Sequence, residues 1–161
     1  MSESNTLSRS AVFIDQLERL EAGDRARFKR NSGKNLSECT GGLALFYKLL
    51  PHGTPQYQEE MYFLVATLFP LAESGGKGDF GSLLSKARNS TNQKGLDRRV
   101  EFLLDADDDQ LSFRLRQSVH YLQSCRVRVD WVQLLDDLLQ WGHPDRYIQQ
   151  RWARSYFSQT T

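Results

Sequence analysis

Apolar residues recur at intervals of three and four positions along most of the chain, which is the spacing of side chains on one face of an α-helix. Phe13, Leu17 and Leu20 begin this pattern, and prolines and glycines interrupt it where helices are expected to end. The predicted helices cover residues 10–22, 24–31 (a short basic helix or turn), 43–50, 55–68, 80–88, 96–105, 107–122, 131–141 and 144–156.

The fold class follows from this pattern. Only residues 126–129 alternate like a β-strand, and four residues cannot form a sheet. The polar stretch from Asn89 to Gly95 is the best boundary between two packed groups of helices. The sequence therefore predicts an all-α protein of two small helical bundle lobes, an N-terminal lobe over residues 1–92 and a C-terminal lobe over residues 93–161.

Local signals predict where individual helices begin. Thr54, which precedes a proline, is expected to be an N-cap, and Tyr57 then falls on the apolar face of the helix that follows. Phe63 lies opposite that face and indicates a contact with another subunit or with the other lobe. The aspartates at 107–109 and Asp130 are expected to cap helices rather than to chelate a metal, because carboxylates stabilise a helix N-terminus.

Composition places the chain among ordinary globular proteins. Its 161 residues are 39% hydrophobic and 25% charged, which suits one or two domains that fold without a metal or a disulfide. The mean hydropathy of -0.57 and the absence of a long apolar run predict no membrane span. Residues 1–10 lack the basic start and apolar core of a secretory signal, so we expect a cytoplasmic protein.

The charges are unevenly distributed along the chain. The net charge of +1, from 21 Lys and Arg against 20 Asp and Glu, does not by itself indicate a nucleic-acid-binding protein. Five basic residues and one acid lie within residues 24–34, whereas residues 105–109 hold four carboxylates. Residues 146–161 hold three arginines and no acid. A polyanion meets such local patches rather than the net charge, so these patches are candidate binding surfaces.

Patterns for catalysis and metal binding are weak. Cys39 and Cys125 are far apart in the sequence, without the paired spacing of a zinc site, and indicate two buried free thiols. The glycines around Lys77 lack the spacing and the flanking strand of a phosphate-binding P-loop. Asp136 and Asp137 point about 100° apart on a helix and cannot chelate one ion together. We expect no cofactor and no metal; a nuclease built from scattered carboxylates stays an open alternative.

The outward faces of the C-terminal helices combine basic and aromatic residues. Arg98 and Phe102 point away from the apolar stripe of their helix, whereas Arg99 lies at its flank and is equally suited to pairing with a buried carboxylate. Two later helices repeat the combination, with Phe113, Arg116 and His120 on one and Tyr147, Arg151 and Arg154 on the other. Guanidinium groups neutralise phosphates and rings stack on any base, so these faces suit a single nucleic-acid strand. The alternatives are a solvated face or rings that meet a protein partner.

Five motifs follow one another along the chain. They are Phe46-Tyr47-Lys48-Leu49-Leu50; Leu83-Leu84 with Arg88; Asp97-Arg98-Arg99-Val100 with Leu103-Leu104; Leu115-Arg116-Gln117; and Asp130-Trp131 with Leu134-Leu135, Leu138 and Trp141-Gly142. In this order and at this total length, the motifs resemble the CasB family, the small subunit of the type I-E CRISPR effector complex Cascade. The resemblance covers nearly the whole chain and depends on the motifs in combination.

The resemblance implies an all-α, non-catalytic subunit with two helical lobes. CasB proteins lie as a pair along Cascade, beside the crRNA backbone filament and the large subunit, and help to hold the displaced non-target strand of the R-loop. The expected partners are therefore nucleic acid (single-stranded non-target DNA, with duplex DNA or RNA as further options), these two kinds of Cascade subunit, and a second copy of the chain. No membrane partner is expected.

The resemblance also points to individual basic residues. Those that match the family pattern, and are therefore expected to contact nucleic acid, are Lys29, Arg30, Lys48, Arg98, Arg99, Arg116 and Arg146. Arg151 and Arg154 join them on helical projection alone, because the segment after Gly142 is longer than in relatives. Gln56 and Phe63 stand where some relatives carry arginine, which argues against a contribution of the 55–68 helix to a DNA path.

A helical scaffold that binds only protein is the alternative function. Lys29 and Arg30 would then simply solubilise a turn. The dependence of affinity on salt separates the two functions, because a protein that binds phosphates loses affinity with a log–log slope of about -0.7 per phosphate for single strands.

Overall fold

Helices make up the regular structure of the protein. The structure, a computed structural model, describes residues 7–158. Within that range the helices are α1 (Arg9–Glu18), α2 (Ala22–Arg30), α3 (Leu43–Leu49), α4 (Glu59–Leu68), α5 (Phe80–Ala87), α6 (Gln93–Leu104), α7 (Asp108–Ser124), α8 (Trp131–Leu139) and α9 (Tyr147–Phe157). Short 3-10 turns occupy Leu36–Glu38, Gln56–Gln58 and Phe69–Leu71. The all-α fold class is confirmed.

The strand-like residues 126–129 contribute one isolated bridge rather than a strand. Val129 pairs in parallel with Ser74, its amide donates to the carbonyl of Glu73 at 2.9 Å, and its carbonyl accepts from the amide of Gly76 at 3.2 Å. A Cβ atom at Gly76 would lie 2.1 Å from the carbonyl oxygen of Arg128. Only glycine therefore allows the loop before α5 to approach the segment after α7 this closely.

Several helix boundaries differ from the predictions by two or more residues, among them one end of each of α1, α8 and α9. Helix α1 ends at Glu18 rather than at residue 22, and Leu20 lies half-buried in the turn that follows. Helix α8 ends at Leu139, two residues before the predicted end. Helix α9 begins at Tyr147 rather than at residue 144, because Arg146 adopts a left-handed conformation with φ of 51°.

Three predictions for α4 and the turn before it are wrong: those for Thr54, Tyr57 and Phe63. The hydroxyl of Thr54 donates to the carbonyl three residues earlier at 2.6 Å, so it closes a turn and does not cap α4. The 3-10 turn Gln56–Gln58 precedes the helix and leaves Tyr57 82% exposed. Phe63 is fully buried and packs edge-on against Phe46, with the ring centroids 5.5 Å apart. It therefore belongs to the core and is no subunit contact.

The predicted aspartate caps are confirmed. A side-chain oxygen of Asp107 accepts from the amide of Gln110 at 3.0 Å at the start of α7. Asp130 accepts in the same way from the amide of Gln133 at 3.2 Å at the start of α8. These carboxylates satisfy amide donors that have no partner within the helix.

One hydrophobic core extends through both halves of the described chain. Helix α5 lies along α9 in the most extensive helix pair, and both α1 and α4 pack on α8. A Cβ atom at Gly81 would lie 2.2 Å from the carbonyl oxygen of Trp152, so α5 and α9 meet backbone to backbone. Helices on either side of residue 92 thus share a core, and the division into lobes at that residue stays a prediction.

Two further sequence expectations concern the thiols and the membrane. Cys39 and Cys125 are both free, as expected, but half-buried rather than buried. Among residues 7–158, no helix combines the length and the apolar character needed to cross a bilayer.

Candidate nucleic-acid interface

Three of the predicted basic residues lie around the turn that follows α2. Lys29 and Arg30 form the exposed last turn of α2, and the chain then turns at Gly33. The Cδ atom of Arg116, on α7, lies 3.9 Å from the position of a Cβ atom at Gly33. We call Lys29, Arg30 and Arg116 the α2–α7 basic patch.

A buried asparagine fixes the turn that forms this patch. The Asn31 side-chain amide donates to the carbonyls of Arg27 at 2.8 Å and Thr40 at 2.9 Å, and its oxygen accepts from the Thr40 amide at 3.1 Å. Gly33 has φ of 88°, a left-handed conformation that glycine adopts without steric cost. The turn is therefore held by hydrogen bonds, and the two cations before it are presented on a fixed backbone.

The charges of the patch are not neutralised within the described residues. Lys29 and Arg30 are exposed, and their side chains form no hydrogen bond or ion pair there. Arg116 is half-buried, and its Nε is a buried donor without an acceptor. An unpaired guanidinium donor costs free energy when it is removed from water, and an anion relieves that cost.

Helix α6 presents two further predicted arginines. Arg98 is exposed, and its guanidinium has no partner in the described part of the chain. Arg99 lies over the ring of Tyr121, 5.2 Å from the centroid, and does not pair with a buried carboxylate. The Tyr121 hydroxyl is 2.5 Å from the side-chain nitrogen of Asn92, which orients this ring. Both arginines are exposed, and Arg99 contacts α7 through this ring.

A pair of exposed rings lies on the same two helices. Phe102 is 47% exposed and Phe113 is 56% exposed. The guanidinium of Arg114 lies between them, 4.7 Å from the centroid of Phe102 and 5.3 Å from that of Phe113. Sequence reasoning identified both rings but missed Arg114, whose signal was its position directly after Phe113. The arrangement combines a cation with aromatic surface, but the cation at the two rings is Arg114 rather than the predicted Arg98 or Arg116.

Lys48 and Arg154 are exposed but lie on other helices. Lys48 is in the last turn of α3, and Arg154 is on α9; neither has a side-chain partner within residues 7–158. Beside Lys48, the hydroxyl of Tyr47 donates to Glu59 at 2.8 Å, and this bond to a carboxylate raises the pKa of Tyr47. No contact joins these two cations to the α2–α7 basic patch within the described range.

The side chain of Arg146 links the start of α9 to the end of α6. Its Nη2 donates to the carbonyl oxygen of Leu104 at 2.6 Å, and the same nitrogen is 4.0 Å from a carboxylate oxygen of Asp105. Asp107 and Asp108 line the same cleft. A phosphate approaching Arg146 would therefore meet several carboxylates, so this predicted residue lies in an unfavourable field for a polyanion.

Arg151 does not face freely outward as the helical projection predicted. Its guanidinium bonds to Asp137, a carboxylate that is 2% exposed, and Asp79 lies 3.9 Å away. Asp137 also accepts from the indole nitrogen of Trp152 at 2.8 Å. The long side chain of Arg151 reaches back across α9 because a buried carboxylate requires a countercharge.

The carboxylates of α8 are used in packing. Asp136 accepts a hydrogen bond from Ser10 at 2.5 Å, and Asp137 is held as described above. Residues 7–158 contain no cluster of three or more His, Cys, Asp or Glu side chains arranged to hold a metal ion. The chemistry that the arrangement supports is therefore binding of anions by guanidinium and ammonium groups, with stacking on Phe102 and Phe113.

Comparison of sequences identifies the relatives of the chain. Residues 24–157 match the family described as CRISPR-associated protein Cse2. A protein of Thermus thermophilus that bears the name CRISPR-associated protein Cse2 is 33% identical over 153 residues, which cover 90% of this chain and 88% of that protein.

Comparison of structures agrees with this result. The crystal structure of a CRISPR-associated protein of the Cse2 family from T. thermophilus has a TM-score of 0.82 and 31% identity, covering 94% of this chain and 99% of that one. CasB of M. ruber has a TM-score of 0.80 and 27% identity, covering 95% and 94%. A chain of E. coli Cascade bound to a PAM-containing dsDNA target shares the fold, with a TM-score of 0.69 and 17% identity, covering 97% and 100%. The chain belongs to the CRISPR-associated Cse2 family, which confirms the resemblance to CasB.

Proposed function

We propose that the chain is a non-catalytic small subunit of a Cascade surveillance complex and binds nucleic acid without reading its sequence. Its main ligand is the displaced non-target strand of the R-loop, formed during antiviral defence. One observation carries the proposal: Lys29 and Arg30 precede a fixed turn that Arg116 approaches from α7, and none of the three has a carboxylate partner within the described residues. Such a group of cations attracts phosphates irrespective of the bases they carry.

A few weak contacts with the displaced strand are enough to stabilise an R-loop, because its formation changes the free energy little. The guide–target duplex is about as stable as the DNA duplex that it replaces, so the exchange is nearly balanced. A few phosphate contacts on the displaced strand then shift the balance toward the open state. The protein needs neither a base-reading groove nor a reaction centre for this task.

Protein partners complete the proposal. The backbone filament, the large subunit and a second copy of the chain are the expected neighbours within the complex. The exposed rings Phe102 and Phe113 favour a scaffold as the second candidate function, because exposed aromatic residues are frequent at protein interfaces. The cytoplasm is the expected location of such a complex.

Binding of a fluorescent single-stranded oligonucleotide by the full chain tests the proposal. We expect the double substitution Lys29→Ala and Arg30→Ala to weaken binding at low salt and to reduce the log–log salt slope by about 1.4, which is about 0.7 for each phosphate that is no longer neutralised. Oligonucleotides of different sequence are expected to respond equally.

A matched double substitution, Arg19→Ala with Lys86→Ala, removes the same charge from other exposed sites. This control is expected to retain the parent slope apart from a small long-range effect. If the parent chain shows no salt-dependent binding, or if the test and control variants behave alike, the proposal fails. Failure to assemble with the other subunits at unchanged oligonucleotide affinity would favour the scaffold.

A further inference from the structure

Arg126, two residues beyond the end of α7, has a backbone conformation that is usually found at glycine. The amide of Arg126 donates to the carbonyl of Gln123 at 3.0 Å, and the amide of Val127 donates to that of Leu122 at 2.9 Å, as in a Schellman motif. Arg126 occupies the left-handed position of this motif, with φ of 59°. A side chain at such a position is strained, and glycine would relieve the strain.

Arg146, the second arginine in a left-handed conformation, differs from Arg126 in that its side chain has a partner within the fold. Arg146 also has a positive φ, but its side chain bonds to the carbonyl of Leu104 and so contributes to packing. The guanidinium of Arg126 is exposed and makes no hydrogen bond or ion pair within residues 7–158. Contacts inside the described fold therefore do not account for an arginine at this strained position.

Arg126 lies on a groove that the surrounding loops form. One cleft, of about 320 Å³, is lined by Arg126 and Arg128 together with Glu73 and Gln123. A second cleft shares Glu73 and Gln123 with the first and extends to Arg25 on α2. The side-chain oxygen of Gln123 accepts from the Glu73 amide at 3.1 Å, which fixes the wall common to both clefts.

The groove carries more positive than negative charge. Glu73 is its carboxylate, and Arg128 lies 3.6 Å from it in an exposed pair. Arg25 is held by hydrogen bonds to the carbonyls of Leu20 and Glu18 and lies over the ring of Phe69. Because carbonyl groups and an aromatic ring have no net charge, these contacts do not neutralise the positive charge of Arg25. Arg25 and Arg126 therefore supply cations at the two ends of the groove.

The groove continues the α2–α7 basic patch. Arg116 marks the patch on α7, and Gln123 marks the groove seven residues later, a separation of about 10 Å along the helix. On α2, Arg30 belongs to the patch and Arg25 to the groove. Helices α2 and α7 therefore each carry residues of both basic surfaces.

We propose that this groove is a second phosphate subsite and that Arg126 contacts the backbone of the single strand held by the α2–α7 basic patch. The inference rests on the proposed function and extends it to residues outside the sequence-predicted set. A phosphodiester fits because the groove carries cations at both ends. Phe69, Leu71 and Ala72 also line the second cleft, but all three are buried and offer little apolar surface to a protein side chain. The arginine at this strained position then contributes to ligand binding and not to the stability of the fold.

Substitution Arg126→Gly separates binding from stability. We expect the melting temperature of the full chain to rise by about 2 °C, because glycine adopts this conformation freely. Affinity for a fluorescent single-stranded oligonucleotide is expected to fall about two- to fivefold, the contribution of one exposed ion pair. The log–log salt slope is expected to decrease by about 0.7. A stabilised protein that binds less well cannot be explained by damage to the fold.

Two further variants and a control make the outcome decisive. Asparagine also tolerates a left-handed conformation, so Arg126→Asn is expected to show the same fall in affinity as Arg126→Gly, whereas Arg126→Lys is expected to keep most of the parent affinity. If the Lys29→Ala, Arg30→Ala variant loses affinity while Arg126→Gly keeps the parent affinity and slope, the subsite is overturned and the proposed function stands. If Arg126→Gly impairs assembly with other subunits but not oligonucleotide binding, the groove takes protein and the subsite is likewise overturned.

Discussion

Arg151 and Arg154 lie on the same helix, yet they stand in opposite electrostatic environments. Arg151 is 39% exposed and neutralises the buried carboxylate of Asp137, whereas Arg154 is exposed and has no side-chain partner within the described residues. Arg151→Ala would leave Asp137 buried with only the neutral donors of Trp152 and Gln133. Removing one partner of a buried ion pair is strongly destabilising.

We therefore expect Arg151→Ala to lower the free energy of unfolding by about 2–3 kcal/mol, after allowance for the partial exposure of its side chain. Arg154→Ala is the matched control and is expected to change it by less than about 0.5 kcal/mol. Urea unfolding followed by tryptophan fluorescence measures both. Equal stabilities of the two variants would show that the contact with Asp137 contributes nothing.

The arginines also show which side-chain environments can be predicted from the sequence alone. Helical projection gives the direction of a Cβ atom, and it correctly separated Arg98 from the core. Projection could not show that the side chain of Arg151 turns back to a carboxylate on α8. The family pattern, which pointed to Arg146, could not show that its side chain bonds to a carbonyl of α6. Those partners are distant in sequence, so only the tertiary structure reveals them. Arg126 was missed because nothing local predicts its left-handed conformation.

At the scale of elements, the contact between α5 and α9 depends on a missing side chain. A Cβ atom at Gly81 would overlap the backbone of Trp152, and a carbonyl oxygen cannot move aside as a flexible side chain can. We expect Gly81→Ala to lower the free energy of unfolding by about 1–3 kcal/mol, since α5 and α9 would have to separate.

Gly95→Ala supplies the control, because nothing lies within 4 Å of a Cβ atom at that position in α6. Alanine favours the helix over glycine, so this variant is expected to gain up to about 1 kcal/mol. Thermal melts of both variants give the comparison. A stabilising effect of Gly81→Ala would contradict the close packing of α5 on α9.

Element predictions succeeded where the signal was local. Asp107 and Asp130 cap their helices through amides only three residues away, a relation that is visible in the sequence. Tyr57 matched the apolar periodicity of α4 but lies in a 3-10 turn, whose three-residue repeat rotates the ring to solvent. Phe63 was assigned to the wrong environment because α4 is buried on nearly all sides, and periodicity cannot identify such a helix.

For the whole molecule, one ionic contact joins three helices. Arg88, at the end of α5, donates to both carboxylate oxygens of Asp97 on α6 at 2.9 and 3.2 Å. The hydroxyl of Tyr156 on α9 donates to the same carboxylate at 2.5 Å. The hydrogen bond from Arg88 is the largest cause that lowers the pKa of Asp97 below 3.8, and burial with the bond to Asp97 raises the pKa of Tyr156.

Stability at acid pH follows from the direction of the Asp97 shift. Because its pKa is lower in the folded state than in the unfolded state, the stabilisation is present above about pH 4 and is lost as the pH falls through the folded value. We expect Asp97→Asn to flatten the decrease in the free energy of unfolding below about pH 4. Urea titrations between about pH 2 and 7 measure this.

Asp15→Asn is the control for the acid titration, since Asp15 pairs with Arg19 only at the surface of α1. Its curve is expected to run parallel to that of the parent chain. If the Asp97→Asn curve also runs parallel down to the lowest pH, the contact among α5, α6 and α9 does not contribute to the acid sensitivity of the fold.

Charge is arranged along α7 as a gradient that the net charge of +1 conceals. Asp107, Asp108 and Asp109 stand at its beginning, Arg116 near its middle, and Arg126 with Arg128 beyond its end. The helix is about 25 Å long, so it holds an extended electric dipole in a rigid frame. If the chain binds a polyanion as proposed, this gradient would orient the ligand before contact, because the acidic end of the helix would repel it. The same repulsion would limit how far a bound strand extends along α7.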